Sequence, residues 1–177
     1  VGDTGIAGLG GLDWDPTMST LIAADSFGAT AGAIYSINPA NAMPTMLGMA
    51  PVPMQDLALN RANGKMYGTG GDSLYRDDNG DNIPETLLGS YGLGALEVGL
   101  GFDGAGNVYV HDLISDIIYK GVGDNPASVV GLITLGYNSN YSQGLYVGDN
   151  KGYHGALDGG ALTSPNYSFN LDGTNYV

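Results

Sequence analysis

The stretch with the clearest chemistry is Asp77-Asp78-Asn79-Gly80-Asp81-Asn82-Ile83-Pro84-Glu85. Oxygen-bearing side chains fall at Asp77, Asn79, Asp81 and Glu85, and the carbonyl of Ile83 is a natural further ligand. Calcium is a hard ion that takes six to eight oxygens in flexible geometry, and alternating Asp and Asn on a tight loop converge such oxygens. The spacing is not that of an EF-hand, because the twelfth position is Leu88. Two readings stand: a calcium loop that stiffens a hairpin, or an acidic turn between strands.

Two histidines, His111 and His154, occupy similar places, each at or near the end of an expected strand. Paired imidazoles can bind a transition metal or exchange protons near neutral pH. Neither has a nucleophilic Ser or Cys or a second His at motif spacing, which favours hydrogen-bonded core residues. Asp13, Asp56 and Glu97 stand at or just before apolar tetrads, at different offsets, so a converging acidic site is not expected. The chain has twelve tyrosines. Among them Tyr137-Asn138-Ser139-Asn140-Tyr141 reads as an exposed loop, and Tyr137, Asn138, Asn140 and Tyr141 are the candidate contact residues for a glycan or a protein partner.

Composition narrows the classes. The chain has 177 residues, 18 acidic against 5 basic, and a formal net charge of −13. Nucleic acid needs Lys and Arg for its phosphates, so that partner is excluded, and anionic membrane surfaces are disfavoured. There is no Cys, hence no disulfide and no thiolate chemistry. No apolar run is long enough to span a membrane, so no membrane insertion is expected. The first residue is Val1, and an exported protein whose signal peptide has been removed is the expectation. Gly is unusually frequent, at 31 residues, which with 43% hydrophobic content points to many tight turns around a real core.

These residues are positioned by a repeat. Leu12-Asp13-Trp14-Asp15, Leu57-Ala58-Leu59-Asn60, Leu100-Gly101-Phe102-Asp103 and Leu145-Tyr146-Val147-Gly148 recur every 43–45 residues. After each comes a polar turn, a second apolar run, and a third run carrying Tyr35, Tyr75, Tyr119 or Tyr167. A fourth run follows in three of the units. Four short strands per unit of this length is the pattern of a β-propeller blade; a β-sandwich also has short strands but needs no fixed period. The expected fold is therefore all-β: a four-bladed β-propeller of four antiparallel strands per blade, one domain over 1–177, with blades at approximately 9–50, 54–92, 97–136 and 142–177 plus 1–8. Each tetrad is the innermost strand. Its Leu and the apolar residue two places on share a face, which packs on the adjacent blade. The last unit lacks an outer strand, so Val1–Ile6 is expected to supply it and close the ring; pairing of that strand with another subunit is the alternative.

The run from Leu12 to Gly48, with Leu-Asp-Trp-Asp-Pro, Ile-Tyr-Ser-Ile-Asn-Pro-Ala and Met-Leu-Gly, resembles blades of secreted bacterial propellers of the YncE-like and NHL-like kind. The likeness implies a fold and no single activity, since such blades host binding proteins, hydrolases, lyases and scaffolds. The acidic loop resembles those of thrombospondin type 3 and dockerin-like repeats, from which it departs with Asn79, Asn82 and Glu85. On these grounds the chain reads as a non-enzymatic extracellular structural protein that associates with copies of itself into a layer, tube or fibre, with calcium as its one cofactor. A secreted glycan- or peptide-binding propeller is the alternative, and a metal-dependent hydrolase in the axial channel comes third.

Overall fold

The computed structural model describes residues 3–94, 97–135, 144–148, 150–155 and 166–177. Four antiparallel sheets stand as the blades of a four-bladed β-propeller. Blade one comprises β1 (Leu9–Asp15), β2 (Thr20–Asp25), β3 (Ala33–Ile37) and β4 (Pro44–Met49). Blade two comprises β5 (Asp56–Asn60), β6 (Lys65–Gly70), β7 (Ser73–Arg76) and β8 (Thr86–Ser90). Blade three comprises β9 (Glu97–Phe102), β10 (Val108–Asp112), β11 (Ile117–Lys120) and β12 (Val130–Thr134), with a 3-10 turn at Pro126–Ser128 before the last strand. Blade four has β13 (Leu145–Val147), β14 (Lys151–Gly155) and β15 (Asn166–Asn170). Strands pair in chain order within each blade. No helix among the described residues is long and apolar enough to cross a membrane.

The four tetrads are the innermost strands, as the repeat requires. Directly opposed residues of an antiparallel pair share a face. Leu57 is opposed by Gly68 and Leu59 by Met66, Leu100 by Val110 and Phe102 by Val108, Leu145 by His154 and Val147 by Gly152. This face is the front of each blade, and the other is its back. The core lies in the joints between blades. The back of blade one (Ile22, Ala24, Ile34) packs on the front of blade two (Leu57, Leu59, Met66). The back of blade two (Ala58, Tyr67, Leu74) packs on Leu100, Phe102, Val108 and Val110, and the back of blade three (Tyr109, Ile118, Ile133) on Leu145, Val147 and Phe169. Among the described residues no apolar cluster joins blade four to blade one.

Inner strands need small residues because the next blade's backbone comes close. A Cβ on Gly11 would stand 2.5 Å from the Leu57 nitrogen, and one on Gly101 would stand 2.6 Å from Val147 Cγ2.

Closure of the last blade differs from the sequence expectation. Asp3–Ile6 forms no strand. Its amides are taken locally: Gly5 N–H donates to Asp3 Oδ1 (2.8 Å) and Ile6 N–H to Thr4 Oγ1 (3.2 Å), with Gly5 at φ +70. Such side-chain bonds compete with a sheet ladder. The outer edge of blade four is taken instead by the C-terminal residues. The chain turns at Gly173, Asn170 N–H donates to the Thr174 carbonyl (2.9 Å), and Ser168 and Val177 exchange backbone hydrogen bonds of 2.9 and 3.0 Å. Tyr176 then stacks on Tyr167, with ring centroids 4.8 Å apart.

Candidate functional site

Three places gather chemistry-bearing side chains. The acidic loop joins β7 to β8 at the rim of blade two. Asp77 is buried, and its carboxylate organises the turn: Oδ1 accepts from the amides of Asn79 (3.1 Å) and Gly80 (2.7 Å), and Oδ2 from that of Asn82 (2.8 Å). Asn79 Oδ1 accepts from Asp81 N–H and Asp81 Oδ1 from Ile83 N–H. One carboxylate oxygen each from Asp77, Asp81 and Glu85 lies within 4.8 Å of the others. Glu85 Oε1 accepts from Asp78 N–H (3.1 Å), whereas Oε2 is fully buried and has no hydrogen-bond partner. A buried, unsatisfied carboxylate oxygen is costly unless a cation or water meets it. The donor set, all hard oxygens with three carboxylates, fits calcium. Of the residues expected from sequence, the fold thus gathers Asp77, Asp81 and Glu85. Asn79 turns its oxygen to a loop amide, and the Ile83 side chain packs into the core between blades one and two.

The second place is the axis. A cavity of about 290 Å³ opens there, with Asp13, Asp56, Arg61, Tyr146 and His154 in its wall. Inner strands are edge strands, so their axis-side amides have no ladder partner. Asp13 and Asp56 meet that need. Leu59 N–H donates to Asp13 Oδ2 (2.6 Å), and Leu100 N–H to Asp56 Oδ2 (2.8 Å). Each carboxyl also accepts the amide of its own successor, Trp14 or Leu57. The two side chains therefore staple blade one to blade two and blade two to blade three. Burial raises the pKa of Asp13 and pushes that of Asp56 well above the usual carboxylate range, with a smaller push on Asp56 from the Asp13 charge. Their different offsets, expected to keep them apart, instead suit them to different amides of the next blade. The side chain of Glu97 lies outside the described residues. Arg61 lies 5.4 Å from the ring centroid of Tyr146 and donates to its hydroxyl (3.3 Å).

The third is the joint between blades three and four. His111 is opposed by Gly99, one place before the tetrad leucine, and His154 by Leu145, the leucine itself. A one-residue offset along a strand reverses the face. His111 therefore points back from blade three and His154 forward from blade four, and their rings meet edge to face at 4.5 Å. Both are fully buried. His154 Nδ1 lies 3.1 Å from the Tyr176 hydroxyl. Burial drives both pKa values down, to about 4 for His111 and about 3 for His154; the His111 charge adds to the shift at His154, while Asp116 partly opposes it at His111. Both imidazoles are neutral at physiological pH.

The tetrad faces do not all find the cover expected of them. Leu57, Leu59, Leu100, Phe102, Leu145 and Val147 are at most 7% exposed, whereas Leu12 is 52% and Trp14 37% exposed. On blade four's back, the opposed pair Tyr146 and Tyr153 is 48% and 49% exposed. Both are among the tyrosines that sequence offers as contact surface, but it does not pair them; Tyr67, Tyr109 and Tyr153 hold one position of the repeat, each opposing the residue that follows the tetrad leucine. The loop residues Tyr137, Asn138, Asn140 and Tyr141 lie outside the described residues.

No family model matches the chain, and no curated protein matches it. Solved structures do. A structural-genomics protein of unknown function from Bacteroides thetaiotaomicron VPI-5482 matches with a TM-score of 0.59 and 17% identity, over 87% of this chain and 46% of that one. Virginiamycin B lyase from Staphylococcus aureus matches with 0.59 and 10%, over 94% and 57%. Kuenenia stuttgartiensis hydrazine synthase matches with 0.64 and 13%, over 99% and 49%. The likeness shows a β-propeller fold, and the chain spans about half the length of the chains it matches.

Proposed function

We propose that the chain is a non-enzymatic, extracellular structural module that associates with copies of itself. One observation carries this: the front face of blade one is built like the three buried fronts and is left uncovered at Leu12 and Trp14. An exposed apolar face of this kind marks an interaction surface. The chemistry-bearing groups of the axis and of the blade-three joint serve the scaffold. Asp13 and Asp56 are committed to backbone amides, and the two histidines are buried and neutral. Calcium belongs to the same reading, held by Asp77, Asp81 and Glu85, where it would tie the hairpin of β7 and β8 and leave the axis untouched. Sedimentation of the chain across a concentration series tests the proposal. The expected result is an assembly that Leu12→Ser with Trp14→Ser dissolves. A monodisperse monomer at about 100 μM, where even a dissociation constant of about 1 μM would leave most chains assembled, would refute it.

A second reading, a glycan- or peptide-binding module, is favoured by one feature. Tyr146, Tyr153 and Arg61 line the axial cavity together, and aromatic rings with an adjacent guanidinium suit a sugar or peptide. Binding to a glycan array that is lost with Tyr146→Ala would support it. A hydrolase on the axis is the weakest reading, because the axial carboxylates already hold amide protons.

A further inference from the structure

We infer that the front of blade one and the back of blade four are the two halves of one more blade joint, and that a second copy of this chain closes it. Two copies then stand head to tail, each blade four against the other's blade one, in a twofold ring of eight blades. The inference rests on the self-association proposed above and names its geometry.

The internal joints show the rule. In each, the second apolar residue of a tetrad packs with the residue that opposes the one following the previous tetrad's leucine: Leu59 with Ile22 in the first joint, and a tyrosine in that place in the other two. Phe102 meets Tyr67, with ring centroids 4.6 Å apart, beside Ala58. Val147 lies over Gly101 and packs in one cluster with Tyr109. Tyr67 and Tyr109 are wholly buried by these contacts. Tyr153 is the third member of this series and is half exposed, with Tyr146 opposed to it. The side chain that the rule calls for over Tyr153 is the second apolar residue of a tetrad on the next blade. The one such residue still uncovered is Trp14.

The back of blade four presents Tyr146 and Tyr153 beside one cation, Lys151. The front of blade one carries Leu12, Trp14, Leu21, Tyr35 and Met46, with no charged side chain among them. Two copies that each carry a net charge of −13 can meet there without opposing like charges at the contact. Tyr146 stands where the internal joints have Asp13, Ala58 or Gly101, so this joint must be wider than the internal ones and closes ring on ring, as suits an interface rich in Tyr and Trp. Closed assemblies of identical chains favour twofold symmetry, and here one rotation satisfies both uncovered faces at once.

The chain has no Cys and a single Trp, which makes the test direct. Trp14→Cys combined with Tyr146→Cys, the pair the rule brings together, is oxidised and read by non-reducing electrophoresis and mass spectrometry, with each single variant beside it. The expected product is a covalent dimer from the double variant and none from either single variant. Wild-type Trp14 emission, needing no substitution, should shift to the red on dilution, with a midpoint that matches the dimer dissociation seen by sedimentation. Trp14→Ser should raise the apparent dissociation constant at least about tenfold, as loss of a central aromatic anchor does. Dimers from Trp14→Cys alone would mean fronts meeting fronts, and a ladder of multimers would mean an open filament; either overturns the ring and leaves self-association standing. A disulfide formed at monomer mass would show the chain closing on itself. Monomers at every concentration, with Trp14 emission constant, would overturn both the ring and the self-association beneath it.

Discussion

Acidification should weaken this fold through His111 and His154, and the size of the effect follows from their burial. In the unfolded chain both imidazoles titrate near their ordinary value of 6.5; burial in the fold lowers them to about 4 and about 3. Between those limits the unfolded state binds more protons, so stability rises with pH across the window and is lost as pH falls through 6.5. At pH 5 each unfolded histidine is almost fully protonated and each folded one is not, a difference of about 2 kcal/mol per residue relative to pH 8, or about 4 kcal/mol for the pair. Asp56 opposes this. Its raised pKa gives a contribution present in acid and lost as pH rises through the folded value, and Asp13 acts in the same sense. Asp25 and Asp172, whose pKa values are lowered, lose their contribution only below the ordinary carboxylate range. Comparison with a histidine variant therefore isolates the effect. Urea unfolding at pH 8, 6.5 and 5 should show that His154→Gln loses about 2 kcal/mol less than wild type between the two ends. Imidazole proton resonances of the folded protein should stay at their neutral positions to below pH 5. Equal acid losses in variant and wild type, to within about 0.5 kcal/mol, or resonances that move near pH 6.5, would refute the burial argument.

Other outcomes follow from the same geometry. Asp56→Ala removes the acceptor of two amides, Leu57 and Leu100, and should cost about 2–4 kcal/mol in urea unfolding at pH 7; a cost below about 0.5 kcal/mol would dismiss the staple. Gly11→Ala should destabilise by about 1–3 kcal/mol or more, because its Cβ meets backbone of β5 that cannot turn aside. Calcium at one hundred times its dissociation constant should add about 2.7 kcal/mol, or roughly 5–10 °C in Tm. Asp81→Ala, an exposed change, should abolish that rise, and calorimetry with and without chelator reads it. No response of wild type to calcium would leave the loop an acidic turn.

The repeat was written plainly in the chain. Four Leu-led tetrads at near-constant spacing imply four inner strands, and alternation along a strand then tells which residues face a neighbouring blade. The acidic loop was legible for the same reason: its oxygens are close in sequence, so local geometry alone brings Asp77, Asp81 and Glu85 together. What sequence left open depends on contacts between blades. His111 and His154 stand 43 residues apart, and only the register of two separate strand pairs turns their rings toward each other. Asp13 and Asp56 differ in their places within the repeat, and only the offset between neighbouring inner strands gives each its own amide. The edge of blade four went to the C-terminal residues because Asp3 and Thr4 hold the N-terminal amides in local bonds, a competition that spacing does not reveal. A pattern of residues determines which faces are apolar. Whether each face is covered is decided by what lies across the joint, and among the described residues Leu12 and Trp14 stay exposed.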